Sequence, residues 1–141
     1  MRNFNEKYLS EAIRCIESFS AFEKDKKTDY QHAITKVATI IKEMEQNGNC
    51  IYFAGNGGSA GIASHLSLDF WKNANVKAMA FNDSSSLTAL GNDIGYDFVF
   101  SKAIEMFAKP GDMLIAISSS GNSQNIINAV NLAKEKKCPK V

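Results

Sequence analysis

Two loops rich in small polar residues are the parts of this sequence best suited to bind a ligand. Each follows a short apolar segment and precedes a segment with helical periodicity: residues 55–59 (GNGGS) follow 50–54, and residues 118–123 (SSSGNS) follow 113–117. A loop between a strand and a helix presents unpaired backbone N–H groups and the positive end of a helix dipole. Both features attract anions, so the two loops predict a site for a small phosphorylated ligand.

The second loop carries hydroxyl groups that suit a phosphate held without basic side chains. Its hydroxyls can donate to one phosphate, with the N–H groups of residues 121–123 behind them. The donors are Ser118, Ser119, Ser120 and Ser123. The alternative is a Ser/Gly-rich surface turn. The position between a strongly apolar strand and a helix favours binding.

The first loop does not match the P-loop pattern and matches the dinucleotide-binding pattern only weakly. A P-loop requires Lys after its last glycine, whereas Ser59 follows Gly58. Gly55, Gly57 and Ala60 satisfy the dinucleotide pattern G-x-G-x-x-A, but this match is weak alone. The acidic residue expected after the next strand could only be Asp83, which comes later than the usual spacing of about 20 residues.

Two pairs of polar residues are further candidates. His65 and Asp69 are spaced i, i+4 on the helix that begins at the first loop, so they share a face. They suit proton transfer or two ligands to a metal, and the alternative is an ordinary surface pair. Asn92 and Asp93 are predicted to lie in a turn between two helices, where turn formation and binding of sugar hydroxyls both explain them.

The pattern of the remaining sequence predicts an α/β fold preceded by a pair of helices. Residues 3–22 form one helix, residues 23–27 a solvated linker, and a second helix begins after Thr28 or Asp29 and ends at Asn47-Gly48. Thereafter strands alternate with helices, which implies parallel pairing in a three-layer Rossmann-like sandwich with ligands at the carboxyl ends of the strands. The predicted strands are 50–54, 76–81 and 113–117, and the helices 59–72, 84–91, 97–108 and 123–137.

Residues 1–48 are therefore predicted to be a helical oligomerisation segment and residues 49–141 an α/β domain. Residues 138–141 are expected to be a turn that opens a fourth strand. Because a crossover helix needs a strand to return to, we expect the α/β domain to be incomplete at its C-terminus, with an open sheet edge beside residues 113–117.

Composition limits the classes of partner. The net charge is +1 with scattered basic residues, which predicts no nucleic-acid partner. The apolar runs are only strand-length, which predicts no membrane span. Cys15, Cys50 and Cys138 lie far apart in no metal-binding spacing, which predicts free thiols in a cytoplasmic protein.

Five motifs in order resemble the sugar isomerase (SIS) domain family, and its phosphoheptose isomerase branch most closely. They are GNGGS at 55–59, His65, LTALGND at 87–93, KPGD at 109–112 and SSSGNS at 118–123. The resemblance implies an enzyme that converts sedoheptulose 7-phosphate to D-glycero-D-manno-heptose 7-phosphate, towards the heptose of bacterial lipopolysaccharide or capsule. It also implies a homotetramer built by N-terminal helices, with sites between subunits and one zinc ion per subunit.

The resemblance also assigns roles to individual residues. His65 would be a zinc ligand. Asp69, where the family has Glu, would be a second ligand and the catalytic base. The phosphate would contact the four serines of the second loop. The rest of the substrate would contact Asn56, Gly57, Gly58, Ser59, Asn92 and Asp93.

Two departures from the family pattern affect the predicted activity. Asp69 draws the carboxylate back by one methylene relative to Glu, and a misplacement of about 1 Å can reduce a rate on the order of 10²-fold. The family's remaining metal ligands, a Gln and a His that is also the catalytic acid, stand on a C-terminal helix beyond the position of Val141. The alternative is therefore a non-catalytic SIS module that binds a phosphosugar or a protein partner, as in relatives that assist assembly in replication initiation.

Overall fold

The N-terminal part of the chain consists of two helices joined by a β-hairpin. The computed structural model describes the backbone of residues 2–141 and the side chains of residues 4–141. Contacts divide the chain into two compact units, of which the first ends at Ile40 and the second is Ile41–Val141. The elements up to the end of the second helix are α1 (Arg2–Glu17), β1 (Ala21–Glu23), β2 (Lys26–Thr28) and α2 (Tyr30–Asn47).

The hairpin corrects two expectations. The first helix ends at Glu17, so Phe19 and Phe22 lie outside it, and the predicted linker at 23–27 is instead part of the hairpin. Lys24 and Asp25 both have positive φ, of 47° and 67°, as the two central residues of a tight hairpin turn require. The expected start of α2 is confirmed, because Asp29 Oδ2 accepts a 2.9 Å hydrogen bond from the His32 N–H.

The second unit contains the predicted parallel sheet. Its strands run in the order β4-β3-β5, with β3 paired in parallel to both neighbours, and helices flank the sheet. Each predicted strand and helix is present, with ends shifted by at most a few residues. The elements are β3 (Cys50–Gly55), α3 (Gly58–Asn73), β4 (Lys77–Ala80), α4 (Ser84–Asp93), a 3₁₀ turn (Tyr96–Phe98), α5 (Val99–Phe107), β5 (Met113–Ile117) and α6 (Gln124–Glu135).

The edge of β5 is paired rather than open. Residues 139–141 lie beside it in parallel, with a bridge between Leu114 and Lys140. The Leu114 N–H donates to the Pro139 carbonyl at 2.9 Å, and the Ala116 N–H donates to the Val141 carbonyl at 2.8 Å. The chain therefore begins the expected fourth strand, and the expectation of an open edge beside 113–117 is wrong.

A buried carboxylate fastens the amino ends of β3 and β5. Asp112 is fully buried. It accepts hydrogen bonds from the backbone N–H groups of Cys50 at 2.9 Å and Lys109 at 3.0 Å, and from Asn49 Nδ2 at 3.2 Å. These bonds hold the predicted turn at 109–112 against the start of β3, at the end of the sheet opposite the two loops. No helix in the described part of the chain is long and apolar enough to cross a bilayer.

Candidate functional site

The two predicted loops leave the sheet side by side. The last residue of β3, Gly55, pairs with the last residue of β5, Ile117. Because β3 and β5 are adjacent and parallel, the first loop and the serine loop begin at the same edge of the sheet. This is the edge at which open α/β sheets bind ligands.

The first loop turns so tightly that it needs glycine at two positions. A Cβ atom on Gly55 would lie 2.6 Å from the Ser59 carbonyl oxygen, far inside van der Waals contact. Gly57 has φ of 54° and precedes the first turn of α3, a conformation that side chains other than glycine's disfavour. Helix α3 begins at Gly58, so its first amides face the ligand edge of the sheet.

The serine loop is held together by its own hydroxyl groups. Ser118 Oγ accepts the Gly121 N–H at 3.1 Å, and Ser120 Oγ accepts the Asn122 N–H at 3.2 Å. The hydroxyls of Ser118 and Ser123 lie 3.3 Å apart, directly before α6 begins. A hydroxyl that accepts a backbone N–H still has its own hydrogen to donate. The loop can therefore hold its shape and donate hydrogen bonds to an anion.

An asparagine pair, which the sequence analysis missed, connects the two loops. Asn56 Nδ2 donates to Asn125 Oδ1 at 2.9 Å, and Asn125 Nδ2 donates back to Asn56 Oδ1 at 3.0 Å. Asn125 is only 3% exposed, in the first turn of α6. The Tyr96 hydroxyl also donates to Asn56 Oδ1, at 3.2 Å. The sequence does carry one signal for this pair: Asn125 occupies a helical position at which the pattern of apolar residues predicts a buried side chain.

The predicted sugar-binding residues Asn92 and Asp93 end a helix rather than form a turn. They are the last two residues of α4 and are exposed, with Asn92 Nδ2 donating to Asp93 Oδ1 at 3.0 Å. A Cβ on Gly91 would lie 3.7 Å from the Tyr96 ring. The end of α4 thus adjoins the tyrosine whose hydroxyl reaches Asn56 in the first loop.

Asp83 has a structural role at the start of the same helix. It caps α4, accepting the N–H of Ser86 at 2.9 Å and the Ser86 hydroxyl at 3.0 Å. These hydrogen bonds lower the pKa of the Asp83 carboxyl. Capping of α4 therefore accounts for Asp83, the one residue that could have served as the acidic residue of a dinucleotide-binding site.

His65 and Asp69 lie together on α3, apart from the loops. His65 Nε2 is 3.3 Å from Asp69 Oδ2, with the two side chains 75% and 42% exposed, and Asn73 Nδ2 donates to Asp69 Oδ1 at 3.3 Å. His65 stands seven residues after the start of α3, a rise of about 10 Å along the helix. The structure pairs the two predicted catalytic residues with each other and shows no hydrogen bond between either of them and a described loop residue.

The donor chemistry of this pair fits part of a zinc site. An imidazole nitrogen and a carboxylate oxygen on one helix face are usual zinc ligands, but a structural or catalytic site has three or four protein ligands. Among the side chains of residues 4–141, no group of three or more His, Cys, Asp and Glu is placed to hold a metal. The pair supplies two ligands and needs others to complete a site.

Known proteins match both the sequence and the fold. The SIS domain family model matches residues 8–140. The chain is 39% identical to the phosphoheptose isomerase of Aneurinibacillus thermoaerophilus over 96% of this chain and 69% of that protein. It is 41% identical to that of Aliarcobacter butzleri over 77% of this chain and 60% of that protein. For these two relatives and a third, from Akkermansia muciniphila, the matched share of the relative is 57–69%.

Two solved structures have the same fold. The phosphoheptose isomerase of Neisseria gonorrhoeae is 32% identical, with a TM-score of 0.79 over 99% of this chain and 72% of that chain. A phosphoheptose isomerase from Francisella tularensis is 25% identical, with a TM-score of 0.78 over 99% of this chain and 69% of that chain.

Proposed function

The chain belongs to the SIS domain family, and from this premise we propose that the whole protein is a phosphoheptose isomerase. The reaction is the conversion of sedoheptulose 7-phosphate to D-glycero-D-manno-heptose 7-phosphate, for the heptose of bacterial lipopolysaccharide or capsule. One observation carries the proposal: both polar loops begin at the same edge of the sheet, where the last residues of β3 and β5, Gly55 and Ile117, pair with each other.

The serine loop is the proposed phosphate site. Ser119 and Ser120 are exposed at its tip, and Ser118 and Ser123 are partly buried at its base. Four hydroxyls and the start of α6 supply neutral donors and a helix N-terminus to one phosphate. Hydrogen bonds to a charged group contribute about 1.5–3 kcal/mol each, so no lysine or arginine is needed in the loop.

The first loop and the end of α4 are the proposed site for the sugar. The backbone of Gly57 and Gly58 is exposed, with open space where a Cβ would stand, so a ligand can approach it closely. Ser59 and Asn56 offer a hydroxyl and an amide N–H beside it, and Asn92 and Asp93 offer an amide and a carboxylate from α4. Such short polar groups suit the hydroxyls of a sugar.

Asp69 is the proposed base of the isomerisation. Its carboxylate takes a proton from C1 of the ketose, and the C1–H electron pair forms the C1=C2 bond of an enediolate with the negative charge on O2. Protonation of O2, loss of the hydroxyl proton from O1 and return of a proton to C2 then give the aldose. His65, 3.3 Å away, orients this carboxylate. A zinc ion held by His65, Asp69 and further ligands would supply polarisation of the substrate oxygen when bound. The acid that completes the reaction must come from outside this pair.

We extend the proposal to a homo-oligomer, a tetramer in the family, whose subunits meet at exposed apolar surfaces. On α3, Ile62, Leu68 and Trp71 are 52%, 38% and 55% exposed. Ile62 and Leu68 lie three residues before and after His65, and Trp71 lies three residues after Leu68, so each is a neighbour of the next at helical spacing. In the N-terminal unit the exposed apolar side chains are Phe4, Tyr8, Leu9, Ile13, Ile16, Phe19, Phe22, Tyr30 and Ile34. Exposed apolar surface of this kind is typical of protein–protein interfaces, and a second copy over α3 would bring further groups to His65 and Asp69.

The proposed compartment is the cytoplasm. All three cysteines are free thiols in the structure, with Cys15 exposed and Cys138 buried, and free thiols suit a reducing compartment.

Size-exclusion chromatography with light scattering tests the proposed homo-oligomer, and a monomer at micromolar concentration would contradict it.

The experiment that tests the proposed activity is a coupled assay of ketose-to-aldose conversion of sedoheptulose 7-phosphate, with and without added zinc. Asp69→Asn should abolish turnover and leave substrate binding in calorimetry intact, because it removes the base and keeps the volume. Asp69→Glu should retain turnover, because it keeps the carboxylate. His32→Gln is the matched control on another helix and should change nothing.

A non-catalytic SIS module is the second candidate, and one observation favours it. Among the described residues, His65 and Asp69 have no third metal-binding side chain beside them. The same assay separates the candidates: binding of sedoheptulose 7-phosphate without turnover by the unmodified protein, with zinc present, would favour the binding module over the isomerase.

A further inference from the structure

The asparagine pair fixes the orientation of an amide at the edge of the proposed sugar site. Asn56 Oδ1 accepts from Asn125 Nδ2 and from the Tyr96 hydroxyl. A flip of the Asn56 amide alone would set an NH₂ group against the Asn125 NH₂ group and end both bonds, and a joint flip of the two amides would remove the acceptor of the Tyr96 hydroxyl. In the observed orientation one Asn56 N–H is used by Asn125 Oδ1, and the other is free to donate to a ligand.

Burial gives this pair a strength that an exposed amide contact would lack. Asn125 is 3% exposed, and hydrogen bonds are stronger in such surroundings while unpaired polar groups there are costly. Asn125 also belongs to the first turn of α6, directly after Ser123 at the end of the serine loop. The pair therefore ties the first loop to the same rigid helix that carries the serine loop.

We propose that Asn125 is a positioning residue that sets the Asn56 amide and the spacing between the two loops, and thereby the affinity for the sugar part of the ligand. The choice of sedoheptulose 7-phosphate as the ligand rests on the proposed function, whereas the effect of Asn125 on the arrangement of the two loops does not. Inorganic phosphate needs only the serine loop. Sedoheptulose 7-phosphate spans both loops, so only its binding depends on their spacing.

Three variants separate positioning from a general effect on stability. Asn125→Ala removes both hydrogen bonds. Asn125→Asp keeps the side-chain volume but sets an oxygen against Asn56 Oδ1, and because a carboxylate has no N–H, one of the two hydrogen bonds is lost whichever way the Asn56 amide points. Asn131→Ala is the matched control, because Asn131 is exposed on the same helix. Calorimetry measures the affinity for both ligands, and hydrogen exchange measures the protection of residues 55–61, whose amides include bonds to the Asn56 and Gly57 carbonyls.

We expect Asn125→Ala and Asn125→Asp to weaken sedoheptulose 7-phosphate binding by about tenfold and to speed exchange in residues 55–61. The affinity for inorganic phosphate should stay within about threefold of that of the unmodified protein, a difference below about 0.7 kcal/mol. Asn131→Ala should change neither the affinity for either ligand nor the exchange rate.

An equal loss of affinity for both ligands, or an unchanged affinity for the sugar phosphate, would overturn the positioning role. If the unmodified protein does not bind sedoheptulose 7-phosphate, the proposed function fails, and the exchange result alone decides whether Asn125 positions the loop. If Asn125→Ala does not fold, Asn125→Asp decides it.

Discussion

The first loop and the serine loop lie side by side but are held in opposite ways. The serine loop is fixed by short-range hydrogen bonds to its own hydroxyls, such as the one that the Gly121 N–H donates to Ser118 Oγ. The first loop is fixed by partners distant in sequence, Tyr96 and Asn125, 40 and 69 residues from Asn56. A loop of the first kind depends on its local sequence, whereas a loop of the second kind depends on the assembled fold.

The largest expected effect tests the serine loop as the phosphate site. Ser119→Ala combined with Ser120→Ala should weaken sugar-phosphate binding by about 3 kcal/mol or more, because two hydrogen bonds to a charged group are lost at about 1.5–3 kcal/mol each. Calorimetry measures the affinity and urea unfolding the stability. The stability should fall only slightly, because both residues are exposed and the one loop hydrogen bond that is lost, from the Asn122 N–H to Ser120 Oγ, is exposed as well. Ser10→Ala, exposed in α1, is the control, and unchanged affinity in the double variant would reject this phosphate site.

The next effect tests how much the buried carboxylate at the end of the sheet opposite the loops contributes to stability. Asp112→Ala leaves the N–H groups of Cys50 and Lys109 without their buried acceptor and should reduce the free energy of unfolding by about 3 kcal/mol. Asp112→Asn keeps one carbonyl oxygen and should cause a smaller loss. Urea unfolding measures both. Equal stability of Asp112→Ala and the unmodified protein would show that these bonds contribute nothing.

A glycine pair on either side of the start of α3 tests the tight turn of the first loop. Gly55→Ala would place a Cβ 2.6 Å from the Ser59 carbonyl oxygen and should destabilise the protein by about 1–3 kcal/mol. Gly61→Ala meets open space within α3 and should stabilise it by about 0.5–1 kcal/mol. Thermal unfolding of the two variants should move in opposite directions, and the same sign for both would contradict the packing described for the loop.

The smallest effect sharpens the comparison between the loops. Tyr96→Phe removes one hydroxyl donor to Asn56 and should weaken sugar-phosphate binding by about 0.5–1.5 kcal/mol. Binding of inorganic phosphate should not change, because the serine loop makes its own bonds. Calorimetry with both ligands checks this, and a loss of phosphate affinity as large as the loss of sugar-phosphate affinity would count against separate support of the two loops.

The comparison also explains which features could be predicted from sequence. The strands, the helices and both loops follow from apolar periodicity and glycine positions, which act over a few residues. The burial of Asn125 has a signal in the apolar pattern of α6, but its pairing with Asn56 could not be predicted, because the pairing depends on the register of β3 against β5 and on where α6 begins. The hairpin at residues 21–28 was missed because two charged residues, Lys24 and Asp25, occupy its turn where Asn or Gly is the usual signal.

One measurement tests most directly whether the two loops bind the two ends of one ligand. Backbone amide chemical shifts are followed by NMR while inorganic phosphate, and then sedoheptulose 7-phosphate, is added to the unmodified protein. The structure predicts that phosphate shifts residues 118–123 alone, and that the sugar phosphate shifts residues 118–123 and 55–59 together. Sugar-phosphate binding that leaves either loop unshifted would contradict the shared site.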